Sequence, residues 1–296
     1  MLETNIAPES SVAGPVPPKS DAVADTSPDT EPRDGSFWRF LLLVAVAMLV
    51  LRSFIVSPFN IPSESMQPTL LIGDYLIVDK MAYGYSRYSL PFGVNLFSGR
   101  ILSKIPERGD VVVFKAPPSN RDDYIKRVIG LPGDRIQMRN GWLFINDAPV
   151  KREHIGDAVI PVTDNMRAVA GAAPCFMPVF NAKGERGGDL CRYPRYRETL
   201  PNGVSYDTLD LISGDMDTTG VYTVPADHLF LMGDNRDRSA DSRYPAVDGG
   251  GIGIVPMENL VGQARFIYFS TDGSASWINP FSWPGATRSD RIGMTL

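Results

Sequence analysis

Ser65, in the run Pro62-Ser63-Glu64-Ser65-Met66-Gln67-Pro68-Thr69-Leu70, and Lys126, in Tyr124-Ile125-Lys126-Arg127-Val128, are the residues of this chain best suited to chemistry. A serine hydroxyl is a weak nucleophile at neutral pH and needs a neighbour to take its proton, and a lysine can do this only where burial lowers its pKa. Tyr124, Ile125, Val128 and Ile129 supply the apolar or aromatic bulk around Lys126. The plainer alternatives are a turn or capping serine and a surface lysine, because Tyr124, Lys126 and Val128 fall on one face of an alternating strand. The two histidines, His154 and His228, stand in no nucleophile-elbow or triad context, which argues against a Ser-His-Asp mechanism. Gly233-Asp234-Asn235 through Arg243 has the look of a calcium loop but lacks glycine at its sixth position and glutamate at its twelfth. No phosphate loop, dinucleotide fingerprint or zinc-protease helix is found.

Five blocks in a fixed order carry a resemblance. They are Ser65-Met66-Gln67-Pro68-Thr69-Leu70, Gly73 to Lys80, Arg108 to Phe114, Tyr124 to Asp134, and Gly233 to Arg243. From about Arg52 onward the chain resembles the bacterial type I signal peptidases, membrane-bound Ser-Lys serine proteases that remove signal peptides from exported proteins. The resemblance implies that Ser65 is the nucleophile and Lys126 the general base. It also implies that the Ser63 hydroxyl and the Ser65 N–H form the oxyanion hole, that Ser239 orients the lysine, and that Asp241 and Arg243 pair to hold the site. Arg238 stands where many relatives carry asparagine. Small side chains at the −1 and −3 positions of a preprotein would enter shallow apolar pockets, whose residues the sequence leaves unassigned. No cofactor and no metal is implied.

The elements that must position these groups are mostly β. Tyr75–Val78, Val111–Phe114, Arg135–Met138, Trp142–Ile145 and Arg265–Phe269 are short, β-branched or aromatic, and bounded by turn residues. Asn140-Gly141 between two of them is a hairpin signal. We expect the soluble part to be mostly antiparallel β, and the resemblance implies a catalytic core in two parts, residues 57–149 and 226–296. The resemblance adds an extended β-ribbon at about 80–104 and an inserted variable domain at 150–225, a stretch rich in turns and charge. Cys175 and Cys191 have a spacing suited to one loop-closing disulfide, with free thiols the alternative.

Residues 1–36 hold seven acids against two bases, which accounts for the whole net charge of −5 and leaves the remainder balanced. Nothing therefore calls for nucleic acid. Proline and the lack of large apolar residues make 1–36 a disordered tail. Residues 37–56 read as an uncleaved transmembrane anchor, with Arg39 and Arg52 able to reach the headgroups. A core helix and a cleaved signal sequence are the alternatives, and the long acidic leader disfavours the second. Flanking charge does not orient the span. The resemblance places the tail in the cytoplasm and the catalytic domain on the periplasmic side of the inner membrane. Its partners would then be preprotein signal peptides, the phospholipid bilayer and, transiently, the secretion translocon. Trp277, Phe281 and Trp283 suit either core packing or the membrane interface. Two other functions compete: a self-cleaving Ser-Lys protease of the SOS-repressor type, and an inactive membrane-tethered protein that binds preproteins.

Overall fold

The computed structural model describes residues 14, 35–89, 99–171, 173–185, 187–276 and 278–296. The expected tail, apart from Gly14, Gly35 and Ser36, lies outside them, as does Trp277. The chain divides into two compact units, Met1–Ala45 and Val46–Leu296.

A helix begins at Gly35 in the first unit and runs to Val50, continuing as a π-helical turn over Leu51–Ile55. Ser36–Ile55 gives 20 residues, about 30 Å at the helical rise and long and apolar enough to cross a bilayer. Its apolar side chains stay exposed, with Trp38 at 70 % and Leu43 at 68 %, which disposes of the core-helix alternative. Val56 is not helical; it opens the next strand.

In the second unit, seven antiparallel strands form one sheet, in the order Val56–Asn60, Asp74–Asp79, Leu260–Ser270, Val111–Lys115, Asp123–Gly130, His228–Met232 and Val255–Pro256. Side chains alternate across a strand, so the unbroken run Val111-Val112-Val113-Phe114 requires apolar cover on both faces. Val111 and Val113 join Ile61, Met66, Leu70, Leu76 and Ile125 on one side. Val112 and Phe114 join Val128, Leu229 and Leu231 on the other.

The Asn140-Gly141 hairpin forms as expected. Both residues have positive φ, 49° and 77°, and Arg139 pairs with Trp142 across the turn. Residues 150–225 contain more regular structure than their turns and charges suggested. Lys151–Pro161 and Asp189–Thr199 are 11-residue partners in a four-stranded sheet with Asn181–Lys183 and Ser205–Leu209. Charged residues on the exposed faces of these strands hide the alternation in the sequence. Of the expected ribbon, Tyr85–Ser86 pairs with Arg100–Ile101, and 90–98 lie outside the described residues. Tyr83, read as ribbon, is instead 4 % exposed in the core and donates its hydroxyl to Asp110 at 2.7 Å. Phe281 and Ile278 are 92 % and 95 % exposed, so that C-terminal segment is not core.

Candidate active site

Ser65 sits in the turn that joins the Val56–Asn60 strand to Asp74–Asp79. Two backbone hydrogen bonds close this turn, Gln67 N–H to Glu64 O at 3.0 Å and Leu70 N–H to Met66 O at 2.9 Å. Met66 and Leu70 are fully buried and fasten it to the core beside Val113 and Ile125. From the other side, the Asn235 N–H donates to the Ser65 carbonyl at 3.1 Å. The Ser65 turn is thus tied to both the sheet and the Gly-Asp-Asn segment.

Lys126 lies in the middle of Asp123–Gly130, directly across from Val112. Its side chain is 4 % exposed, so it is not a surface lysine. Nζ lies 2.8 Å from Ser65 Oγ and 3.1 Å from the Ile125 carbonyl. Burial pushes the amine down to about 8; Asp241 and Asp234 act against the fall, and Arg243 adds to it. A neutral amine at this distance has a lone pair available for the serine proton.

The other residues suggested by the sequence lie around this pair. Ser63 Oγ is 3.5 Å from Ser65 Oγ, on the exposed lip of the turn. The Ser65 N–H has no hydrogen-bond partner among the described residues, leaving a donor beside the Ser65 hydroxyl. Ser239 is buried against Gly233 and Asp241. Its hydroxyl is not among the hydrogen-bond partners of Lys126. Arg243 grips Asp241 with two bonds, 2.8 and 2.9 Å, and the Gly233 N–H adds a third at 3.1 Å. Burial would raise the Asp241 carboxyl, but Arg243 and the Gly233 N–H outweigh that and hold it below its ordinary range. Cys175 and Cys191 are bonded, with Cα atoms 5.5 Å apart. His228 contacts the Ala226 carbonyl and His154 packs on Tyr196, and neither lines the cleft at Ser65.

Several supporting residues gave no sequence signal. Arg127, read only as the neighbour of Lys126, forms a buried two-bond pair with Asp234 at 2.8 and 2.6 Å. Glu198, from the second sheet, holds Arg236 at 2.9 and 2.6 Å. A buried pair is poor evidence for net stability, but removing one member leaves an uncompensated charge, so these pairs fix geometry. A cleft of about 290 Å³ runs past Ser65 and Lys126, with Phe59, Ile61, Val113, Tyr124 and Ile125 in its walls. Val113 and Ile125 are cross-strand partners, a pairing that only the register reveals. A larger cleft of about 660 Å³ lies at Asn140, Tyr196 and Asp210. It contains neither Ser65 nor Lys126, so its size does not make it the site.

A buried serine within reach of a lysine of lowered pKa, on an antiparallel sheet, is an arrangement that suits hydrolysis by a serine without histidine. Residues 35–269 match the family described as signal peptidase, peptidase S26. Similar proteins include signal peptidase I of Rickettsia typhi, 40 % identical over 244 residues covering 79 % of this chain and 80 % of that one. Signal peptidase I of Rickettsia canadensis is 38 % identical over 256 residues, 83 % of this chain and 84 % of that one. A crystal structure of a signal peptidase I from Enterococcus faecalis V583 aligns at 23 % identity over 54 % of this chain and 97 % of that chain, with a TM-score of 0.27. The chain belongs to the signal peptidase family, peptidase S26, and is a serine peptidase.

Proposed function

We propose that this protein is a membrane-anchored endopeptidase that removes N-terminal signal peptides from exported preproteins, with Ser65 as nucleophile and Lys126 as general base. Family membership supports the reaction, and the 2.8 Å approach of two buried side chains, Ser65 and Lys126, is the observation that supports these roles. Ser65 Oγ attacks the scissile carbonyl as its proton passes to Lys126 Nζ. The Ser65 N–H and Ser63 hydroxyl stabilise the resulting oxyanion. The C–N bond breaks, Lys126 returns the proton to the leaving amine, and the signal peptide remains as an ester on Ser65. A water, deprotonated by Lys126, then attacks the ester and frees both the acid and Ser65. Ser239, through Asp241 and Gly233, acts as a positioning residue for the lysine.

The walls of the 290 Å³ cleft suit small apolar side chains on the acyl side of the bond. With this reading go the domain limits 57–149, 150–225 and 226–296, the inserted part touching both others: Glu198 holds Arg236, and Tyr222–Thr223 pairs with Arg135 and Ile136. Helix Ser36–Ile55 supports membrane anchorage, which this reading assigns to the inner membrane. The catalytic unit would face the periplasm near the translocon, with exposed Ile278 and Phe281 against lipid. Incubation of the full chain in detergent with a preprotein should yield one cut after a small residue. An intact preprotein, bound but uncut, would instead establish the tethered-binder alternative.

A further inference from the structure

Arg238 occupies a distinctive place. A second cleft, of about 380 Å³, contains Glu64, Ser239 and Tyr244 and meets the apolar one at Ser63, Arg238 and Ala240. A polypeptide crossing Ser65 must leave in two directions. If the acyl side takes the apolar cleft, the segment that becomes the new amino terminus leaves through the second.

The wall there is built as a supported cation. Arg238 Nε donates to Glu64 Oε2 at 3.0 Å, yet the two are unequally covered, with side-chain exposures of 41 % for the arginine and 7 % for the glutamate. The charge presented to the cleft is therefore chiefly the guanidinium. Its Nη groups make no hydrogen bond among the described residues. On its other side the guanidinium carbon lies 5.3 Å from the Phe176 ring. The Phe176 backbone N–H is held by the Tyr193 hydroxyl at 3.0 Å, and Phe176 follows disulfide-bonded Cys175. Asp237, also in the cleft, turns its carboxylate to the Leu211 and Ile212 N–H groups at 2.6 and 3.3 Å. It does not cancel the arginine.

We propose that Arg238 is a specificity-determining residue that favours an acidic side chain within the first three residues after the scissile bond. The inference rests on the peptidase reading above. A half-exposed charge contact is weak, so the preference should be roughly three- to fivefold in kcat/KM. It should also shrink as salt screens the pair. The full chain in detergent would be given three matched preprotein peptides bearing Asp, Ala or Lys at each of these positions in turn, and the Asp/Lys ratio would be read within each enzyme. The wild type should favour Asp at one position, mostly through KM. Arg238→Gln should bring that ratio to about one, whereas Arg238→Lys, which keeps the charge, should retain most of it. A ratio near one in the wild type, or one that survives Arg238→Gln, would overturn the assignment while leaving the peptidase reading in place. If the wild type cut none of the peptides, the peptidase reading itself would fail, and this one with it.

Discussion

Gly233→Ala should cripple this enzyme through a single methyl group. Gly233 carries no unusual φ, so the effect is one of space alone. A Cβ there would lie 2.3 Å from Ser239 Oγ, 2.4 Å from the Ser65 carbonyl oxygen and 2.5 Å from Ser239 Cβ. Ordinary contact begins near 3.4 Å, so the Ser65 turn, Ser239 or both must retreat by about 1 Å. Such a retreat would stretch the 2.8 Å Ser65–Lys126 approach beyond hydrogen-bond range. Overpacking of this kind costs about 1–3 kcal/mol of stability, and a 1 Å misplacement at a reacting centre costs about 100-fold in rate. We expect kcat on a preprotein peptide to fall by about two orders of magnitude, with a thermal midpoint only several degrees lower. Gly214→Ala is the control, because its Cβ would meet nothing closer than 4.0 Å. A folded Gly233→Ala enzyme with wild-type kcat would refute the claim that this close approach sets the nucleophile's position.

Two other outcomes follow from the geometry. Only neutral Lys126 accepts a proton, so activity should rise with pH through about 8, roughly tenfold per unit below it. At pH 7 about one molecule in ten would be active, and a rising limb near pH 4 would point instead to a carboxylate base. Replacing both Cys175 and Cys191 with serine opens a loop of 16-residue separation and should lower stability by about 3 kcal/mol in denaturant unfolding. An unchanged midpoint would show that the bond constrains nothing.

The sequence made the chemistry more legible than its scaffolding. Short hydrophobic blocks and Asn140-Gly141 marked strands and a hairpin because a turn leaves its signal in adjacent residues. Residue chemistry and the apolar bulk around Lys126 drew attention to Ser65 and Lys126, but pairing them took the five ordered blocks, since a lone serine and lysine 61 residues apart carry no spacing rule. Glu198 and Arg236 were illegible for a physical reason. A charged residue in a polar stretch reads as solvated, and only tertiary pairing makes both of them buried. The apolar cleft was hidden likewise, because Val113 and Ile125 read as ordinary core residues until the register sets them side by side next to Lys126. The long strands Lys151–Pro161 and Asp189–Thr199 escaped because an exposed sheet face tolerates the charge that usually signals a loop.

The central claim is that Ser65 and Lys126 act as one unit, and single-turnover cleavage by Ser65→Ala, Lys126→Ala and the double variant tests it most directly. Residues acting together are grossly non-additive, so each single change should abolish turnover as completely as the pair, with the fold retained by circular dichroism. Lys126→Arg should fail as well, because a guanidinium stays protonated. A Lys126→Ala enzyme that kept near-full rate, or single losses that simply multiplied in the double variant, would contradict the account.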